Sequence, residues 1–251
     1  MFKEEMHTYK GLYGYFFNFI ITEFSKILKE ENPSIWKFIL DNHIGMKVKE
    51  CYTAEQIAYD VFMHKGHLRK DQMRQLLMNW RYKEESSGFQ ICTNWIFTND
   101  KMKINAFVLE VSVPNLCMNI CERIYDLEKY KEEILWDLHH EVGHMIDYIH
   151  NRNNVSLKEW QDVEDAIVQN YDKYHKETNK PIISLEQRDE YNMMYYELPN
   201  ERAANDAVGI SAKDMIEFDR EWDKKYRNKL VTVTIDQSNI RDVPKEESDE
   251  K

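Results

Sequence analysis

The sequence predicts a helix-rich α+β chain carrying a small antiparallel sheet. Three observations point there. Glycine and proline, which most often interrupt regular structure, number only 7 and 5 in 251 residues. Apolar residues recur at helical spacing over most of the chain. One stretch, 88–114, alternates with period two instead.

A first amphipathic helix is expected over 11–31, its most apolar part being Tyr13–Ile21. Pro33 and Thr53 start helices over 33–42 and 53–64, and a fourth covers 70–82. Phe89, Ile91, Thr93, Trp95 and Phe97 then alternate with polar neighbours. Asn99-Asp100-Lys101 supplies turn chemistry, and Phe107, Leu109, Val111 and Val113 share one face of a second strand. The span 88–114 therefore reads as a β-hairpin. Helical spacing returns over 127–150 and over 157–177, the latter polar enough to lie on the surface. Pro199 opens a short helix to Val208, and Ser211 with Asp214 three residues on starts another to Arg227. Leu230–Ile235 alternates as a late strand. The expected organisation is a helical N-terminal region (1–87), a region built around the sheet (88–235) and a disordered acidic tail (236–251).

Composition narrows the function. Asp and Glu number 45 against 34 Lys and Arg, a formal charge of −11, whereas sequence-independent nucleic-acid binding needs a basic footprint. The hydrophobic share of 42% is too high for a disordered chain. No apolar run approaches the ~20 residues of a membrane span, and Tyr13–Ile21 lacks the small-residue cleavage site of a signal peptide. Four scattered cysteines, Cys51, Cys92, Cys117 and Cys121, form no disulfide framework, so a reducing, cytoplasmic setting is expected. Nothing marks a partner base for Cys51 or Cys92, which read as core residues.

The chemistry lies in His140-Glu141-Val142-Gly143-His144, an HExxH motif. On a helix, residues four apart differ by about 40° in direction, so both imidazoles can reach one metal ion. Glu141 lies about 60° further round, within reach of a water on the open metal position. Neutral histidines suit Zn²⁺, which acidifies such a water, and the glutamate is the base that takes its proton. A helical wheel places Ile134, Leu135, Leu138, Val142, Met145, Ile146 and Ile149 on one arc. Glu133, Asp137, His140, Glu141, His144 and Asp147 fall on the other. The motif thus sits on the non-core side of a core helix, with carboxylates beside it that can orient ligand histidines. The bland alternative is a solvated charged face that spells HExxH by accident. His139 falls off the polar arc and, like His175, reads as a surface or packing residue.

Zinc needs a third protein ligand, and two residues compete. Glu201, in Leu198-Pro199-Asn200-Glu201-Arg202-Ala203-Ala204-Asn205-Asp206, is followed one turn later by Asn205, which can hold an imidazole through its free nitrogen. Ala203 and Ala204 permit close packing against the motif helix. The bland alternative is an ordinary capped helix N-terminus, where the dipole favours Glu201. His150 matches the outer spacing of HExxHxxGxxH, but Asp147 replaces the glycine that breaks the helix there. With the helix unbroken, His150 points about 120° away from His144. Met193-Met194 before Tyr195-Tyr196 resembles the methionine turn of enzymes with the longer motif, which keeps that alternative open.

Together, HEVGH and a glutamate helix reading NERAAND resemble the gluzincins, the HExxH-plus-Glu zinc metallopeptidases. The short form with alanines is similar to the compact ImmA/IrrE-like peptidases of bacteria, mobile elements and phages. The resemblance covers at most residues 104–210. It implies a zincin-like fold over 88–235 and a peptide or protein substrate. His140, His144 and Glu201 would be metal ligands, Glu141 the general base, and Asn205 a support for the ligands. The longer spacing before Glu201 implies an inserted helical segment over 151–190. In such peptidases a strand preceding the motif helix edges the cleft and pairs with substrate, and Ile104–Val113, with Glu110, is the candidate. Tyr191, Tyr195 and Tyr196 offer phenols for an oxyanion. Two competing classes remain: a zincin-fold binding or regulatory protein without catalysis, and a helical structural protein that binds no zinc.

Overall fold

The computed structural model describes residues 2–51, 88–123, 126–179 and 184–226. The alternating stretch closes into the expected hairpin, β2 (Phe89–Thr98) pairing antiparallel with β3 (Lys101–Ser112). The turn residues Asn99 and Asp100 both take positive φ, 50° and 58°. Two such residues match the right-handed strand twist, and Asn and Asp tolerate that region better than most. An extra residue, Asn105, lies between the pairs Asn94↔Ala106 and Trp95↔Ile104. This bulge keeps Ile104 on the same face as Phe107, Leu109 and Val111, all of which enter the core with Phe89 and Ile91.

The sheet is mixed, not antiparallel as expected. A third strand, β1 (Gly45–Cys51), pairs parallel with β3 from Gly45↔Ala106 to Cys51↔Ser112, giving the order β1-β3-β2. Only Met46 and Val48 alternate in GMKVKEC, between charged residues, so the local pattern of β1 is weak. Its partner shows the consequence: β3 is the central strand, and Ala106 to Leu109 are buried without alternation.

Helices cover the core face of the sheet. The first, α1 (Phe2–Lys26), starts earlier than expected and runs into a π-helical turn, Ile27–Glu31. Phe16, Ile20 and Phe24, spaced by four, bury one stripe together with Ile27 and Leu28. Pro33 begins α2 (Pro33–Asp41), which adds Ile35 and Ile39. A helix not foreseen, α3 (Val113–Glu122), follows β3 directly, and the Ser112 hydroxyl caps it by accepting from Asn115 N–H. Val113 is therefore a first-turn helical residue, not the end of a strand.

The motif helix, α4 (Leu127–Asp147), is capped by Asp126, which accepts from Lys129 N–H at 3.0 Å. Ile134, Leu138, Val142 and Met145 are fully buried against α1 and the sheet. A second π-helical turn, Tyr148–Arg152, continues the helix. The chain then bridges β3 through Met102 and Val155 and enters α5 (Leu157–Thr178) at a Ser156/Glu159 capping box. After α6 (Leu185–Tyr196) come α7 (Pro199–Val208), stopped by Gly209 at φ 74°, and α8 (Ala212–Tyr226), started by Ser211 and Asp214. Among the described residues no helix is long and apolar enough to cross a membrane. The helices expected over 53–64 and 70–82, the strand Leu230–Ile235, the acidic tail and the side chains of Cys51, Cys117 and Cys121 lie outside the described residues. Cys92 is half-buried.

A very close helix–helix approach falls inside the motif. A Cβ placed on Gly143 would lie 2.0 Å from the Ala204 carbonyl oxygen on α7. Helix propensity alone would favour Gly143→Ala by about 1 kcal/mol. The clash is with backbone, so α4 and α7 must part, and overpacking of this kind costs about 1–3 kcal/mol. Gly143→Ala is therefore expected to lower the urea midpoint with little change in slope. A midpoint at or above that of wild type would contradict the packing described.

Candidate metal centre

On α4, His140 and His144 are one helical turn apart with ring centroids 4.6 Å from each other. Their Nε2 atoms lie 3.1 Å apart. Glu201 enters from the first turn of α7, its Oε2 3.0 Å from His140 Nε2 and 3.5 Å from His144 Nε2. The ligating atoms of all three lie within 4.8 Å of one another, a buried group that can hold a metal ion. The structure thus brings together the two histidines and the glutamate singled out from the sequence. His150 is exposed on the π-helical turn and outside the cluster.

The geometry suits a cation. Bonds of about 2.0–2.2 Å from a tetrahedral zinc set its ligand atoms about 3.3 Å apart. The three separations here are 3.0, 3.1 and 3.5 Å. His140 Nδ1 lies 2.7 Å from Asn205 Oδ1, a contact that assigns the ring proton to Nδ1 and turns a lone pair on Nε2 toward Glu201. Two imidazole nitrogens and a carboxylate oxygen then face one point. Without a metal, a proton must bridge them. Burial opposes a charge on His140, but its hydrogen bond to Glu201 and the negative Glu141 and Glu201 outweigh burial and lift its pKa to about 9. Burial likewise opposes ionisation of Glu201, yet hydrogen bonds from His140 and His144 hold its carboxyl well below the usual range.

Glu141 is also buried, with Oε2 accepting from Ile91 N–H at 2.6 Å. Burial raises its pKa against the pull of His144, His140 and that backbone donor. The polar arc of α4 is consequently not a solvated face, because α7 and β2 cover it: His140, Glu141, His144 and Asp147 are each less than a tenth exposed. The neighbouring carboxylates expected to orient the histidines do other work. Glu133 pairs with Arg123 at 2.6 Å, and Asp147 takes Asn151 at 2.8 Å and Arg152 at 3.4 Å. His139 bonds Glu31 and the Leu135 carbonyl, and His175 is exposed.

Two further expectations need correction. The strand beside the motif helix is β2, not Ile104–Val113: β3 has β1 and β2 on its two sides and offers no free edge along that pairing. Glu110, on β3, pairs with Lys49 of β1 at 3.3 Å. The long α5, expected to lie on the surface, reaches the site through Tyr171, whose hydroxyl donates to Glu201 Oε1. A sequence signal was present: Trp160, Ile167, Tyr171 and Tyr174 form a stripe at helical spacing, and Tyr174 is buried. Of the three tyrosines weighed before the glutamate helix, Tyr195 faces the site. Burial, followed by the charge of Glu201, pushes its hydroxyl up. Tyr191 is hydrogen-bonded to Gln187, and the Tyr196 ring lies against Tyr195. Tyr148 was not anticipated; its ring stacks on His144 with centroids 6.0 Å apart.

No family model, curated protein or solved structure matches this chain.

Glu201→Gln and His140→Ala are expected to weaken metal binding sharply, whereas His150→Ala leaves it unchanged. A competing chelator measures each affinity, and the reverse ranking would displace Glu201. Because metal binding must expel the His140 proton held up to about pH 9, affinity should rise about tenfold per pH unit between 7 and 9. A flat profile would show that no proton is displaced.

Proposed function

We propose that the chain is a zinc-dependent metallopeptidase of gluzincin type, with a zincin-like fold and a peptide or protein as substrate. The observation that supports this best is Glu141: a buried carboxylate one residue from His140, beside a cluster of three metal-ligating side chains. A purely structural metal site has no need of a base there. Bound zinc would supply Lewis acidity, polarising a scissile carbonyl and lowering the pKa of a water.

The chain's own residues supply the rest. His140, His144 and Glu201 hold the ion, and Asn205 fixes the His140 ring through Nδ1. Glu141 accepts a proton from the attacking water and passes it to the leaving amine, breaking the peptide C–N bond. Burial raises its pKa, which makes the carboxylate a better proton acceptor than an exposed one. Ile91 N–H holds one Glu141 oxygen and thereby orients the carboxylate. An extended substrate is expected along the outer edge of β2, where main-chain pairing gives affinity without demanding a sequence. A reducing, cytoplasmic setting belongs to the same reading.

The Glu141–Ile91 bond also favours a second reading, a zincin-fold binding or regulatory protein in which Glu141 merely pins β2 to α4. Glu141→Gln separates the two. The amide keeps shape and reach but cannot take the proton, so fold and zinc content should persist. Cleavage of a diverse peptide library should fall by about 10²–10⁴-fold. Wild type and mutant that cleave equally at matched zinc content would remove Glu141 as the base. Wild type that holds zinc and cleaves nothing would favour the binding protein.

A further inference from the structure

The two oxygens of Glu201 have different surroundings. Oε2 faces the Nε2 atoms of His140 and His144. Oε1 is turned away from them and takes two donors at once, Asn200 Nδ2 at 2.7 Å and the Tyr171 hydroxyl. Asn200 Nδ2 also lies 3.0 Å from the Tyr171 oxygen, and Tyr171 is hydrogen-bonded in turn to Tyr195. Glu201 is only 2% exposed, so these contacts are made where water cannot replace them. Asn200 is the preceding residue on α7, whereas Tyr171 comes from α5, outside both motifs.

We propose that Tyr171 is a positioning residue of the metal centre: with Asn200 it engages Glu201 Oε1, so that Glu201 presents Oε2 alone to a bound metal. A free carboxylate can swing to bind through both oxygens. One whose second oxygen already accepts two hydrogen bonds loses both by doing so, and hydrogen bonds to an ionised group are the strong ones. The consequence is a third ligand that occupies one coordination position, leaving another for water or substrate. The Tyr171 hydroxyl is committed to Glu201 and is not available to an oxyanion. This inference rests on the metal-centre reading above, and adds that α5 belongs to the site.

The test uses the full chain with wild type, Tyr171→Phe and Asn200→Ala, titrated with zinc against a chelator and separately with Co²⁺. The visible absorption of bound Co²⁺ weakens as its coordination number rises. Phenylalanine keeps the ring contacts to His175 and Tyr195, so helical circular dichroism should be unchanged. Loss of an outer partner of this kind typically costs 10–100-fold in metal affinity. Tyr171→Phe should show a fall of about that size with weakened cobalt absorption, and Asn200→Ala a shift in the same direction. Wild-type affinity and spectrum in both variants would overturn the proposal alone. Lower affinity with an unchanged spectrum would overturn the single-oxygen mode. If wild type itself takes up no metal, the metallopeptidase reading falls and the role of Tyr171 falls with it. Should Tyr171→Phe not fold, Asn200→Ala decides.

Discussion

The contact between Gly143 and Ala204 is the constraint on which the site depends. With no side chain at Gly143 and only a methyl at Ala204, α4 and α7 meet almost backbone to backbone. Two pairs of residues one helical turn apart then face each other, His140 and His144 on one helix and Glu201 and Asn205 on the other. Glu201 reaches both histidines, and Asn205 reaches the far nitrogen of His140. Side chains of these lengths have little reach to spare, so a wider crossing would break the set. The glycine inside HExxH is thus a packing residue, set between the two histidines that could hold a metal ion.

That closeness has an electrostatic cost which the surrounding residues offset. Burying an isolated charge costs far more than one hydrogen bond returns. Here Glu141 and Glu201 are each answered: Glu141 by Ile91 N–H and the two imidazoles, Glu201 by His140, Asn200 and Tyr171. The answering groups come from β2, α4, α5 and α7. A site distributed in this way forms only once the sheet, motif helix and later helices have come together. A cation bound among the three ligands would take the place of the proton that bridges these groups, the two imidazole nitrogens lying 3.1 Å apart.

What the sequence revealed divides along physical lines. His140, Glu141, His144, Glu201 and Asn205 were legible because helical periodicity fixes direction along a single helix, and HExxH and ExxxN are both one-turn pairs. The hairpin was legible because alternation and the Asn99-Asp100 turn are local. The order of strands was not, because it depends on contacts between Gly45–Cys51 and Ala106–Ser112 that leave no local trace. The polar arc of α4 was found, but not what lies over it. A helical wheel sorts residues by polarity alone, so it left a solvated charged face open as an alternative, whereas β2, α7 and Arg152 cover Glu141 and Asp147. Tyr171 escaped for the same reason: the many charges of α5 masked a narrow inward stripe.

The segment between the motif and the glutamate helix also changes meaning in three dimensions. By sequence it is an insertion over 151–190. In the fold, α4 passes through the π-helical turn Tyr148–Arg152, a wider turn of the kind frequent near functional sites. Tyr148 stacks on His144, and the Arg152 guanidinium lies over the Tyr148 ring at 4.4 Å. Arg152 is buried between Asp147 at 3.4 Å and Glu164 of α5 at 2.9 Å. Asn153 then accepts from Ile104 N–H, and Asn154 and Val155 bridge Met102, tying the end of the motif helix to β3. Trp160 of α5 packs on Trp95 of β2, which in turn meets Tyr148. The turn that carries His150 outward therefore also anchors α5 to both α4 and the sheet. Three helical turns beyond Trp160, the same helix sets Tyr171 against Glu201.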